Sequence, residues 1–139
     1  RRAQQDRALI DLGFTQDEAD QLRRISLTLH RWAEHECNGT IQREGDDGTG
    51  RPRWYNPNTG RCGGYAPDRQ RGALERLTRI VARCSVRRGW KANEIDRGRG
   101  LSFYVQGDPR GCALYILRPG DVPEGADRGS YYTRGIAVY

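Results

Sequence analysis

Two alternating runs, "LSFYVQG" at 101–107 and "CALYIL" at 112–117, flank Asp108-Pro109-Arg110-Gly111, and nothing else in the chain restricts its fold as tightly. Proline presets the second turn position and glycine accepts the left-handed position that follows, so the two runs must return antiparallel on each other. Asp108 and Arg110 then belong to the turn, with Asp108 accepting turn amides. Alternation puts successive side chains on opposite faces, and the apolar face must be covered. "RGIAVY" at 134–139 supplies a third strand, reached by the loop "RPGDVPEGADRGSYYT".

Two helical patterns are available as the cover. Thr15 followed by Glu18 is a capping box, in which hydroxyl and carboxylate satisfy orphan amides of a first turn. It starts a helix from about Gln16 to Cys37 with Leu22, Ile25, Leu29, Trp32 and Ala33 on one stripe, stopped by Asn38-Gly39. Pro67-Asp68 opens a second helix that runs to about Arg87. Leu74, Leu77, Val81 and Cys84, supported by Ala73 and Ile80, form its buried stripe, whereas Arg69, Arg76, Arg79, Arg83 and Arg87 line the other side within about 40 degrees of its midline.

Between the helices, "EGDDGTG" and "NPNTG" break residues 40–66 into short extended pieces, a hairpin arm. "RPRWYNPNTGR" at 51–61 resembles part of a WW module, the small sheet that grips proline-rich peptides. That module needs a Trp in its first and third strands, and neither Thr40-Ile41-Gln42 nor Cys62-Gly63-Gly64 has one. Trp54 and Tyr55 are therefore expected to serve the hairpin and its partner contacts. "SVRRGWKANEIDRGRG" at 85–100 has no clean period and is expected to be a long exposed loop insertion covering 86–100. The predicted fold is α+β: two antiparallel helices packed on one face of a three-stranded antiparallel sheet, with a hairpin arm between the helices, in one domain over residues 1–139.

Composition narrows the function. Hydrophobic residues make up 35 % of the 139, charged residues 30 %, and no run approaches the roughly 18 apolar residues of a membrane span. "RRAQQDRALIDLGF" at the start lacks the apolar stretch of a signal peptide, so a soluble, cytoplasmic protein is expected, and the lack of any Met implies residues before Arg1. The four cysteines, Cys37, Cys62, Cys84 and Cys112, are too far apart for a zinc ribbon and are expected to be free thiols. His30, Glu34 and Cys37 share one side of a helix and are the one candidate ligand set, but a small buried cysteine accounts for the same spacing, and no metal or cofactor is expected.

Catalysis has little to work with. The chain has two histidines, no phosphate-binding glycine loop, no nucleophile elbow and no zinc-protease motif. Glu36, on the apolar side of the first predicted helix, calls for a cationic partner, Arg110 or Arg118, and no catalytic residue is assigned. The protein is expected not to be an enzyme.

The cations point elsewhere. Lys and Arg number 24 against 18 acids, a net charge of +6, and Lys91 is the only lysine. A genome rich in G and C explains arginine in place of lysine but not the excess over acids, which favours an acidic partner such as nucleic acid. The residues expected to bind it are Arg69, Arg76, Arg79, Arg83, Arg87, Arg88, Trp90, Lys91, Arg97 and Arg99, contacting phosphates and stacking on bases. The alternative partner is a protein complex, with Trp54, Tyr55 and Tyr104 among the anchors.

"WAEHEC" at 32–37, "PDRQRGAL" at 67–74 and "YVQGDPRGCALYIL" at 104–117 together resemble an uncharacterised group of small phage and prophage proteins. The likeness runs from Leu22 to Tyr139 and departs at the 85–100 segment. It implies no catalytic residue. What it implies is a phage accessory protein in a bacterial host that binds nucleic acid or docks, in anti-CRISPR fashion, on defence or replication machinery.

Overall fold

The computed structural model of the chain describes residues 2–32, 40–46, 52–55, 68–96, 99–106, 114–121 and 135–138. Helices and an antiparallel sheet make it an α+β fold. The elements run α1 (Arg2–Leu12), α2 (Gln16–Trp32), β1 (Thr40–Asp46), β2 (Pro52–Tyr55), α3 (Asp68–Arg87), α4 (Ala92–Asp96), β3 (Ser102–Gln106), β4 (Leu114–Leu117) and β5 (Ile136–Val138). No described helix is long and apolar enough to cross a membrane.

β3, β4 and β5 form the expected antiparallel sheet. Phe103 pairs with Ile116 and Val105 with Leu114 across β3–β4, and Leu114 pairs with Val138 and Ile116 with Ile136 across β4–β5. These six residues share one face, because side chains two apart along a strand point the same way. Val105, Leu114, Ile116 and Val138 are fully buried on it, and Phe103 and Ile136 pack against the same core. The alternation read in the sequence thus selects the covered face. β1 adds to β3 through Thr40–Gln106 and Ile41–Val105, and β2 adds to β1 through Gln42–Tyr55 and Arg43–Trp54, so the strand order is β2-β1-β3-β4-β5. The sheet therefore has five strands where three were expected, because both strands of the expected arm continue it.

The helices bury the stripes their periodicity defines. Leu22, Ile25 and Leu29 of α2 are buried, as are Ala73, Leu74, Leu77, Ile80, Val81 and Cys84 of α3. At the start of α2 the Thr15 amide donates to Glu18 Oε1 at 2.9 Å and the Glu18 amide donates to Thr15 Oγ1 at 3.1 Å, the reciprocal pair of a capping box. Buried Ser26 of α2 donates its hydroxyl to the Val138 carbonyl at 2.6 Å, which fixes α2 to β5. The expected last turn of this helix, 33–37, and its Asn38-Gly39 stop lie outside the described residues.

Two elements are additional to those expected. α1 is the first, held by a glycine stop: Gly13 has φ 118°, its amide donates to the Ile10 carbonyl, and the Phe14 amide reaches back to the Leu9 carbonyl, both at 3.0 Å. This is the double closure that a left-handed glycine makes at a helix end, with Phe14 and Leu9 both buried beneath it. Periodicity hides α1 because its large apolar residues, Leu9, Ile10 and Leu12, all fall in its last turn and form no repeating stripe. The second lies in the expected 86–100 loop. α3 ends at Gly89, φ 99°, by the same pair of bonds, Gly89 amide to Val86 carbonyl and Trp90 amide to Ser85 carbonyl. α4 follows, capped by the Lys91 amide donating to Glu94 Oε1 at 3.0 Å. Buried Ser85 then accepts the Leu101 amide on its hydroxyl at 3.1 Å. Short local closures of this kind leave no periodic signal, which is why the segment reads as irregular.

Candidate nucleic-acid interface

α3 carries six arginines, at 69, 71, 76, 79, 83 and 87, against Asp68 and Glu75. Its apolar stripe is fixed in the core, so the opposite face is forced outward, and Arg76, Arg79 and Arg83 are exposed. None of the three makes an ion pair or side-chain hydrogen bond among the described residues. Arg69 lies in the first turn of the same helix, its side chain outside the described set.

The basic surface continues onto α2. An open groove of about 460 Å³ between the two helices is lined by Gln21, Arg24, Ile25, Thr28 and Arg76. Arg24 is exposed and also has no described ion-pair partner. The sequence does not single it out, because α2 mixes Asp17, Glu18 and Asp20 with Arg23 and Arg24 and shows no cationic stripe. Only the pairing of α2 with α3 puts Arg24 on the same groove as Arg76.

Arg87 and Arg88, both expected to contact nucleic acid, have a different position. Arg87 reaches back to the start of α2, where its guanidinium pairs with both Glu18 oxygens, Nη1 to Oε2 at 3.2 Å, and donates to the Gly13 carbonyl at 3.0 Å. Arg88 donates to the Leu12 carbonyl at 2.8 Å. The end of α1 exposes carbonyls with partial negative charge, and two guanidinia from the end of α3 satisfy them. Arg23 is the third engaged arginine: it is buried between α1 and α2 and paired with Asp6 and Asp20, the latter at 2.5 Å. Arg118, a candidate partner for Glu36, binds the buried Asp121 carboxylate three residues on, at 2.9 Å. Glu36 and Arg110 lie outside the described residues.

The Glu18 junction gives a pH-dependent stability. Burial penalises its carboxylate, but the Thr15 amide and the Arg87 guanidinium outweigh that penalty and hold its pKa below the ordinary carboxylate range. A carboxylate depressed on folding stabilises the fold fully above its unfolded pKa, about 4.3, and loses that contribution as pH falls through the lower folded value. Glu18→Gln keeps an acceptor for the capping box and removes the charge. The drop in urea midpoint between neutral and acid pH is therefore expected to be smaller in Glu18→Gln than in the wild type; equal drops would mean that Glu18 does not carry this term. Because the Arg87 side chain is 41 % exposed, solvent screening keeps the effect modest.

The other predicted residues are dispersed. Trp90 is half-buried against Gly100, where an added Cβ would meet its ring at 3.2 Å, so it closes the 85–101 segment. Lys91 and Arg99 are exposed, and Arg97 lies outside the described residues. Trp54 and Tyr55 stand on β2 opposite Arg43 and Gln42, and Tyr104 on β3 opposite Tyr115; these three side chains lie outside the described set. Of the candidate metal ligands, His30 is on α2, and Glu34 and Cys37 fall outside the description; the described residues contain no group of three potential ligands. Cys84 is a buried free thiol that donates to the Leu12 carbonyl at 3.9 Å, and burial pushes its pKa up. Cys37, Cys62 and Cys112 lie outside the described residues.

In comparison with known proteins, the chain matches no family model, no curated protein and no solved structure.

Proposed function

We propose that the protein is a non-enzymatic nucleic-acid binder of the phage accessory type, acting in the cytoplasm of a bacterial host, and that Arg76, Arg79 and Arg83 track the phosphate backbone. One observation carries this reading: Arg23, Arg87, Arg88 and Arg118 have carboxylate or carbonyl partners, whereas Arg24 of α2 and Arg76, Arg79 and Arg83 of α3 are exposed without a described one, as are Arg7 and Arg99 elsewhere on the surface. Guanidinia without an internal counter-charge attract polyanions and give up little on meeting one. Two acidic side chains, Asp6 and Asp11, line a separate cleft on α1 with Arg7, Ile10 and Gln16, and Asp6 is already paired with Arg23.

The finer architecture belongs to the same proposal. α2 and α3 run antiparallel across one face of the sheet within a single domain, with residues 40–66 as an arm between them; the Arg87–Glu18 bond between the end of α3 and the start of α2 supports this. Trp54 and Tyr55 belong to β2, the outer strand of the sheet order, and Tyr104 to β3 at its centre, and the reading keeps all three as candidate contacts to bases or to a protein partner.

The test is the salt dependence of binding. A short single-stranded oligonucleotide is expected to bind the full chain at low salt and to lose at least about tenfold in affinity between 50 and 200 mM, because several phosphates release counterions. If no oligonucleotide binds and a discrete protein complex is still captured from nuclease-treated host lysate, docking on a defence or replication complex replaces the nucleic-acid reading.

A further inference from the structure

We infer that Arg24 of α2 and Arg76 of α3 form a two-guanidinium clamp for one phosphate group in the groove between the helices; as a contact to a strand, the clamp rests on the nucleic-acid reading above. The two cations come from different helices whose buried stripes, Ile25 and Leu29 on one and Leu74 and Leu77 on the other, fix their backbones. The clamp is thus preorganised, and binding orders only the side-chain ends.

The lining selects the chemistry of the ligand. No described residue of the groove is acidic. The Thr28 hydroxyl is committed to the Arg24 carbonyl at 3.0 Å and one Gln21 amide hydrogen to Asp17 at 2.6 Å, so the donors left to a ligand are the two guanidinia and the second Gln21 amide hydrogen. Ile25, the one apolar side chain among the described lining residues, is 2 % exposed and offers little contact of its own. The ligand is therefore an anion rich in acceptors. Each guanidinium presents a planar fork that takes two oxygens. Two forks approaching from different helices reach different oxygens of a tetrahedral phosphate, one non-bridging oxygen each on a phosphodiester, whereas the two oxygens of a carboxylate lie in one plane with its carbon.

Proton–nitrogen NMR on the full chain tests the clamp with inorganic phosphate and, as a control, acetate. The Arg24 and Arg76 Nε–H signals, with the Gln21 and Thr28 amides, are expected to shift saturably with phosphate and not with acetate, and Arg24→Ala should abolish the response at Arg76. A second measurement uses a single-stranded oligonucleotide. Arg24→Ala is expected to weaken it about tenfold, the loss of a charged hydrogen-bonding partner. Adding Arg76→Ala should leave the total loss of salt slope near 0.7, the value for one phosphate on a single strand, instead of twice that. A non-saturating phosphate response, an equal acetate response, or a slope that falls as for two independent phosphates overturns the clamp. The two readings fail differently. If an oligonucleotide binds and depends on Arg79 and Arg83 but not on Arg24, the clamp is wrong and the nucleic-acid reading stands; if phosphate saturates the groove but no oligonucleotide binds at about 50 mM salt, the clamp stands as a site for a free phosphate compound and the nucleic-acid reading is wrong.

Discussion

Leu77→Ala is expected to lower the folding free energy by about 2 to 5 kcal/mol, the range for truncating a buried leucine whose surroundings relax only in part. Leu77 is 0 % exposed and lies on the α3 stripe with Leu74, Val81 and Cys84, which are also buried. The loss combines the transfer free energy of the removed methyl groups with unfilled space between the helix and its neighbours. Against a folding free energy of about 5 to 15 kcal/mol for a domain of this kind, a change near the upper end leaves a substantial unfolded population. Urea denaturation gives the number directly, and Arg83→Ala on the opposite side of the same helix serves as the control, with an expected change within about 0.5 kcal/mol. A midpoint that Leu77→Ala does not move would mean that α3 turns a different face to the core.

Reversing the charge of Arg76, Arg79 and Arg83 together, each to Glu, is expected to weaken oligonucleotide binding by at least about a hundredfold at low salt and to flatten the salt slope by about two to three. The change replaces three cations with three anions where the strand is proposed to run, so attraction becomes repulsion. Stability should stay nearly constant, because all three side chains are exposed and without described ion-pair partners. Arg87→Glu provides the contrast. It places a carboxylate against Glu18 and the Gly13 carbonyl, and the expected result is lost stability with a smaller effect on binding. Equal binding losses from the triple reversal and from Arg87→Glu would show that charge in general, and not this face, is being measured.

The contrast between Arg83 and Arg87 also shows where sequence reasoning runs out. Four residues apart on one helix, the two have the same local signature. Arg87 is drawn inward by Glu18, 69 residues away, and by the Gly13 carbonyl, 74 residues away. Arg24 is the converse case: inconspicuous within α2, it gains its place in the candidate site from Arg76, across the groove. Trp90, expected on an exposed finger, is instead packed against Gly100 at the foot of a short helix.

What the sequence by itself determined is everything that nearest neighbours along the chain decide. The Thr15–Glu18 capping box, the buried stripes of α2 and α3, the pairing of β3 with β4 and the α+β class all follow from period, capping and turn chemistry within a few residues. What only the tertiary structure decided is the allocation of charge: which arginines meet a carboxylate or a helix-end carbonyl, and which are left facing solvent. α1 makes the difference concrete, since a helix with few apolar residues, barely visible in the sequence, carries the carbonyls that engage Arg87 and Arg88. The physical reason is range. Backbone geometry is set within one turn or one hairpin, whereas an ion pair depends on two groups brought within about 4 Å by the packing of the whole core.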